Sequence, residues 1–174
     1  SFQYTRDELT PSALILESLV FMLGHAKDAE LKTHLLNVGI LQWVVARVEK
    51  AVDEVKGASE EAVLRTIIPL ERCFRILENC MMFHKKNQAF LISHRGSVLI
   101  NACAELLSLL HERVKGIAEA SKETTALLHT IKLMARVLTN LSHENELCSS
   151  KLGALEHFLE QCCTSFTLLA PKYA

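Results

Sequence analysis

The sequence predicts an all-α protein, an armadillo/HEAT-like helical-repeat solenoid of about three units, and three observations carry that prediction. Gly39, Gly96 and Gly153 stand 57 residues apart each time, in the contexts LLNVGILQWVV, LISHRGSVLINAC and SSKLGALEHFL. Each context is an apolar or amphipathic turn, a glycine and a second apolar run. A second helix-stopping residue follows each at nearly constant distance: Gly57 after 18 residues, Gly116 after 20 and Pro171 after 18. Finally, 49% of the chain is hydrophobic and only 6% aromatic, so the core must be built from aliphatic residues, Met and Cys. Repeated helical units with no strand signal, each too small to bury its own apolar face, imply stacking into a solenoid.

The elements follow in order. Pro11 and Ser12 open a first helix over LILESLVFML, which Gly24 closes. A short helix over DAELKTHLLNV stops at Gly39. A third runs from Ile40 to Lys56, with Trp43, Val44, Val48, Val52 and Val55 at helical spacing. Ser59, followed by Glu60 and Glu61, restarts a helix with acids in its first turn. A further helix carries ERCFRILENCMMF and is expected to start or kink near Pro69. A short helix over NQAFLISH leads to Gly96, and a long one covers Val98 to Lys115. After Gly116 a helix runs through LLHTIKLMARVLTNL. A turn over ENELCSS and a last helix from Ala154 complete the order, eight or nine helices in all. The rhythm of helix, short helix, glycine and long helix is that of armadillo units, here longer than the usual repeat of roughly 40 to 47 residues. The repeats are placed at about 12–57, 59–116 and 122–171 of a single helical region, read as a piece of a longer array.

Charge and composition exclude several functions. The formal net charge is −1, so no bulk field draws the domain to nucleic acid or an anionic membrane. No apolar run reaches the roughly 20 residues that a membrane span needs, and no signal-peptide pattern is present. The six cysteines lack CxxC or HxxxH partners. They read as reduced, metal-free core thiols of an intracellular protein, Cys73 and Cys80 lying on one helical face with Ile76, Leu77 and Phe83. Neither a cofactor nor a metal is implied. The histidines are scattered, with His84, His94 and His111 near helix ends and expected to be exposed. No nucleophile, phosphate-loop or paired-acid motif occurs, and a His143–Cys148 dyad has only proximity in sequence behind it. The chain reads as a binding protein and not as an enzyme.

The candidate binding residues form a seam on two helices. In ERCFRILENC, the apolar arc of Cys73, Phe74, Ile76, Leu77 and Cys80 is opposed by Glu71, Arg75 and Glu78, flanked by Arg72 and Asn79. The last unit carries Lys132, Arg136 and Asn140, with His129 one turn earlier. Superposing Asn79 on Asn140 places Arg75 over Arg136, although the first unit has Met22 in the corresponding position. An asparagine amide can donate to and accept from a bound peptide backbone, and arginine can grip a carboxylate with two parallel bonds. The same pattern also fits a solvated helix face laced by pairs such as Glu71–Arg75. If the stripe binds, glutamate at both Arg75 and Arg136 should weaken binding and leave stability nearly unchanged.

The segment ERCFRILENCMMFHKKNQAFLISHRGSVLI resembles the carboxy-terminal helical domain of the Wings-apart-like (Wapl) family, which releases cohesin from chromatin. The family pattern E-R-C-L-R-V-L-E-N, then E-N-Q-x-Y-L-I, corresponds to Glu71 to Asn79 and then Asn87, Gln88, Phe90, Leu91 and Ile92. Upstream, ELKTHLLNVGILQWVVARVEKAVDEV is similar to a family stretch, as are VLTNLSHENE and PKYA downstream. The connector between Gly116 and Thr125 is shorter than the family's, and His84-Lys85-Lys86 replaces a more acidic stretch. The resemblance implies a nuclear, chromatin-associated, non-enzymatic module. Its partners would be cohesin subunits: the kleisin, the HEAT-repeat subunits and also the ATPase heads. A generic armadillo-type peptide-binding adaptor for transport or cytoskeletal scaffolding is the alternative reading.

Overall fold

A computed structural model describes residues 10–25, 29–116, 122–155, 157–158 and 160–164. Among these, every regular element is helical. Eight α-helices with both ends described follow one another: α1 (Pro11–His25), α2 (Ala29–Asn37), α3 (Ile40–Val55), α4 (Glu60–Met81), α5 (Lys85–Ser93), α6 (Val98–Lys115), α7 (Lys122–Ser142) and α8 (Glu146–Gly153); residues 158 and 160–164 are helical as well. A short 3-10 turn, His94–Gly96, joins α5 to α6.

Packing has a period of three elements. Helix α4 lies against α1 and α7, α3 packs on α4 and α6, and α2 touches α5. One layer therefore contains α1, α4 and α7, and a second contains α3 and α6. The core between them is aliphatic, with Val44, Val48, Ile67, Leu70, Leu77 and Leu106 all fully buried. Each such side chain removed from water contributes about 1.5–3 kcal/mol before entropy is counted. Ion pairs such as Lys56–Glu105 at 2.6 Å link the outer helices α3 and α6.

Local chemistry explains most boundaries. The Ser59 hydroxyl accepts the Ala62 N–H at the start of α4, where Glu60 and Glu61 face the exposed amides of the first turn. Gly39 and Gly96 have φ of 88° and 68°, a left-handed conformation that glycine adopts without a side-chain clash. These two glycines stand at matching junctions, before α3 and before α6. Gly153 instead ends α8 and has no left-handed φ, so the third member of the glycine series matches in position but not in conformation. Pro171 lies outside the described residues.

Several boundaries differ from the sequence reading. The two helices expected around Pro69 are one continuous helix, α4, with Pro69 inside it. Proline removes one backbone bond there, but Val63, Ile67, Leu70 and Phe74 on both sides are buried in the same core, which keeps the helix continuous. The turn expected over ENELCSS is helix α8, nucleated by the Asn145 carboxamide, which accepts the Cys148 N–H at 3.0 Å. Ala154 caps that helix, and the last helix expected from it begins a few residues later, with 158 and 160–164 helical among the described residues. Gly24 falls within α1, not beyond its end.

Candidate functional site

Helices α1, α4 and α7 carry their polar residues along one shared seam. Glu17 of α1 receives Arg72 Nε at 2.8 Å and has Arg75 Nη1 at 3.6 Å. Glu71 of α4 lies 3.5 Å from Arg75 and 3.6 Å from His129 of α7. Glu78 of α4 holds Arg136 Nη2 of α7 at 2.7 Å. The pairs Glu17–Arg75, Glu71–His129 and Glu78–Arg136 have the same separation along the chain, so α4 meets α7 in the register in which α1 meets α4. The two successive contacts between α4 and α7 advance together, which makes those helices parallel.

The residues singled out in the sequence divide into two groups. Arg75, Asn79, Lys132, Arg136 and Asn140 keep part of their surface open to solvent. Arg72 and Glu78 do not belong to an open stripe: Arg72 is only 2% exposed and Glu78 6%. They lie where α4 meets α1 and α7, and their ion pairs tie neighbouring helices together. The expected tolerance of glutamate at Arg75 and Arg136 does not fit this geometry. Glutamate at Arg136 would set a second carboxylate beside buried Glu78, and glutamate at Arg75 would face Glu17 and Glu71, so both changes should destabilise. The amides of Asn79 and Asn140 are different. Among the described residues neither makes a side-chain hydrogen bond, and they occupy matching places near the ends of α4 and α7. In α1 the expected counterpart, Met22, does not hold: the ion pairs set Glu17 against Arg75 as Glu78 is set against Arg136, so the place of Asn79 falls to exposed Ser18.

Sequence reasoning missed the groups that hold this face in shape. Asn87 Nδ2 donates to the carbonyls of Cys80 and Lys32, both at 3.0 Å, closing the end of α4 onto α2. Gln88 Nε2 lies 3.0, 3.2 and 2.9 Å from the carbonyls of Asn140, Leu141 and His143, at the end of α7. Lys32 Nζ donates to the Met82 carbonyl at 2.8 Å. The last carbonyls of a helix have no partner within it, so at the ends of α4 and α7 these side chains satisfy groups that would otherwise be stranded in a packed interior. The one available signal was the adjacent Asn-Gln pair at the head of an otherwise apolar short helix.

Histidine placement also differs from expectation. His84 is nearly buried because it caps α5: Nδ1 accepts the Asn87 N–H at 3.2 Å, and Nε2 lies 2.9 Å from Thr33 Oγ1. His111 is buried on the apolar face of α6 beside Leu107 and Leu110, and that burial holds its pKa below the ordinary value. The cysteines are free. Burial pushes the thiols of Cys73, Cys80 and Cys103 up to about 12 and raises that of Cys148, the direction opposite to nucleophile activation. His143, the other member of the sequence-proposed dyad, is exposed and lies 4.0 Å from Glu144. Among the described residues no cluster of His, Cys, Asp and Glu could hold a metal ion, and no helix is long and apolar enough to cross a membrane.

A family profile described as "Wings apart-like protein regulation of heterochromatin" matches residues 1–174. The chain belongs to the Wings apart-like family. It is 48% identical over 174 residues to the Wings apart-like protein homolog 1 of Caenorhabditis elegans, covering 99% of this chain and 23% of that protein. It is 25% identical over 186 residues to the human Wings apart-like protein homolog, covering 96% of this chain and 16% of the human one. The Drosophila melanogaster protein wings apart-like is 22% identical over 159 residues, which cover 85% of this chain and 9% of the fly protein. The chain thus spans less than a quarter of each Wings apart-like relative. The Glu71–Asn79 block that resembled the family in sequence forms the central helix of the seam, α4, and the Asn87–Gln88 pair forms the bolts behind it.

Proposed function

We propose that this chain is a non-enzymatic protein-binding module of a Wapl-type regulator of sister-chromatid cohesion, acting in the nucleus on chromatin to promote dissociation of cohesin. Its units are armadillo/HEAT-like repeats, α1 to α3, α4 to α6 and a third begun by α7 and α8, stacked as a solenoid with α1, α4 and α7 lining the binding face. The partners on this reading are cohesin subunits: the kleisin, the HEAT-repeat subunits and the ATPase heads. Membership of the Wings apart-like family supports the choice of system, and it favours this reading over a transport or cytoskeletal adaptor.

The observation that carries the binding role is the pair of free amides, Asn79 and Asn140, set at matching places on parallel neighbouring helices. A repeated amide with both donor and acceptor open can engage the backbone of an extended segment whatever its side chains are. Lys132 and the open edges of Arg75 and Arg136 supply charge beside it, while Arg72 and Glu78 position the helices that present it.

The test uses purified cohesin subunits and the double variant Asn79→Ala/Asn140→Ala. Affinity for the kleisin or a HEAT-repeat subunit should fall by about tenfold or more, equivalent to about 1.4 kcal/mol, while thermal stability changes little. Lys132→Glu should weaken binding by a smaller factor. Failure of every cohesin subunit to bind the wild-type chain, or equal binding by wild type and the double variant, overturns the reading.

A further inference from the structure

Phe83 is 99% exposed and Met82 beside it 40%. The Phe83 backbone also has φ of 56°, in the left-handed region where a bulky L-residue is strained. This residue therefore carries strain and exposed apolar surface at once, and at that exposure no packing among the described residues offsets either. The turn itself does not require phenylalanine. The matching position between α7 and α8 has φ of 51° and is occupied by Glu144.

Beside Phe83 lies a cleft of about 480 Å³ between the end of α4 and the end of α7. Met81, Met82 and Phe83 supply an apolar, adaptable wall, and Thr139, Asn140 and His143 supply a polar one. Among the described residues Glu144 is the only acid lining the cleft, and it is already engaged by Lys85 Nζ at 2.9 Å, with His143 at 4.0 Å. Lys86, exposed on the next position of α5, gives the rim beside the cleft one cation beyond the Lys85–Glu144 pair. The free Asn140 amide stands where the α4–α7 seam runs into the cleft.

We infer that this cleft seats a bulky apolar side chain of an acidic protein segment. The apolar residue packs against Met82 and Phe83. A carboxylate flanking it faces Lys86, the segment's polar groups meet His143, and its backbone meets the Asn140 amide. The inference rests on the proposed binding role of the α1–α4–α7 face and adds to it the chemistry of the occupant. An anchor buried in a pocket and ringed by charge is the arrangement that concentrates binding energy in a few residues.

The experiment is selection of a displayed random dodecapeptide library on the full chain, with Phe83→Asn protein as counter-selection. Asparagine tolerates the left-handed backbone, so that variant keeps the turn. Enriched peptides should carry Phe, Leu or Met flanked by Asp or Glu. By fluorescence anisotropy, the tightest of them should lose about tenfold or more in affinity to Phe83→Asn protein, and a similar factor when its own apolar residue becomes alanine. Lys86→Glu should weaken it further than a salt control predicts. No enriched peptide, enrichment of basic or wholly polar peptides, or equal affinity for wild type and Phe83→Asn overturns the proposal. A wild-type dimer in sedimentation velocity that Phe83→Asn dissolves also overturns it, because the patch then belongs to a second copy. If Asn79→Ala/Asn140→Ala protein loses a cohesin subunit while Phe83→Asn keeps it undiminished, this inference falls and the proposed function stands. If the peptides bind in a Phe83-dependent way but no cohesin subunit binds, the proposed function falls and the cleft stands.

Discussion

The junction between α4 and α5 and the junction between α7 and α8 have the same backbone and different wiring. Phe83 and Glu144 share a left-handed φ, and the caps that follow, His84 and Asn145, have φ/ψ of −135°/85° and −139°/96°. Each cap accepts the N–H of the residue three positions on, Asn87 in one case and Cys148 in the other. Beyond that the two part company. The first turn of α5 presents Asn87 and Gln88 to the ends of α4 and α7, whereas the corresponding residues of α8 are Cys148 and Ser149. Cys148 fills the core, and among the described residues Ser149 bonds only to Ser142 and Asn145 nearby in the chain. A repeated turn fixes the direction of the chain, and the side chains one turn later decide whether the short helix also fastens its neighbours.

The largest expected effect tests that division. Gln88→Ala removes the group that gathers three carbonyls at the end of α7, leaving buried acceptors unmatched. It should cost about 2–3 kcal/mol in urea-induced unfolding. Ser149→Ala, at the matching place in α8, should stay within about 0.5 kcal/mol of wild type. Equal losses at the two sites would show that the short helices are interchangeable and would break the comparison.

A smaller effect of opposite sign is expected at the left-handed positions. Phe83→Gly should raise stability by up to about 1 kcal/mol, because relief of backbone strain outweighs the added freedom of the unfolded chain and no packing is lost. Glu144→Gly relieves similar strain but gives up the contacts with Lys85 and His143, so its gain should be less. Thermal unfolding of both variants measures this. A Phe83→Gly protein less stable than wild type would mean that the ring packs on something in the folded chain, and the exposed-anchor reading would lose its basis.

Much of this was legible in the sequence, and the reasons for the remainder are physical. Apolar spacing defined α3 and α6 closely, since Val44, Val48, Val52 and Val55 repeat at helical period with Gly57 as a stop. Gly39 and Gly96 marked real left-handed junctions. Pro69 misled because the penalty for a proline is local, while the burial that keeps α4 continuous is tertiary. ENELCSS read as a turn because its polar composition hides a capping asparagine followed by two well-spaced apolar residues, Cys148 and Leu152. At the candidate site, the seam across α4 and α7 was predictable from the amphipathic pattern. Glu17 was not, because nothing in α1 marks a single acid on a mostly apolar helix as the partner of Arg72. Exposure of Phe83 was also hidden: it looked like core next to Cys80, and only the left-handed turn after Met82 throws it outward.

The smallest expected effect again separates the two junctions, now by pH. Lys85, first through a hydrogen bond and then through its charge, holds the Glu144 carboxyl below its ordinary range, with His143 adding to the shift. The α4–α5 junction has phenylalanine in that place, with no carboxyl there to titrate. A carboxyl whose folded pKa is depressed stabilises the fold fully above its unfolded value, about 4.3, where both states are ionised. As pH falls through that value the unfolded chain takes up its proton first, and the contribution is lost on the way down to the folded pKa. The advantage of wild type over Glu144→Gln should therefore be present near neutrality and shrink steadily below about pH 4.3. Both groups are largely solvent-exposed, so the effect should be slight and should diminish further in high salt. Lys85→Met in the same background should remove most of the dependence. An advantage that persists unchanged into acid would mean that Glu144 acts through its shape or its backbone, and that the bridge to Lys85 across the cleft contributes nothing to the junction.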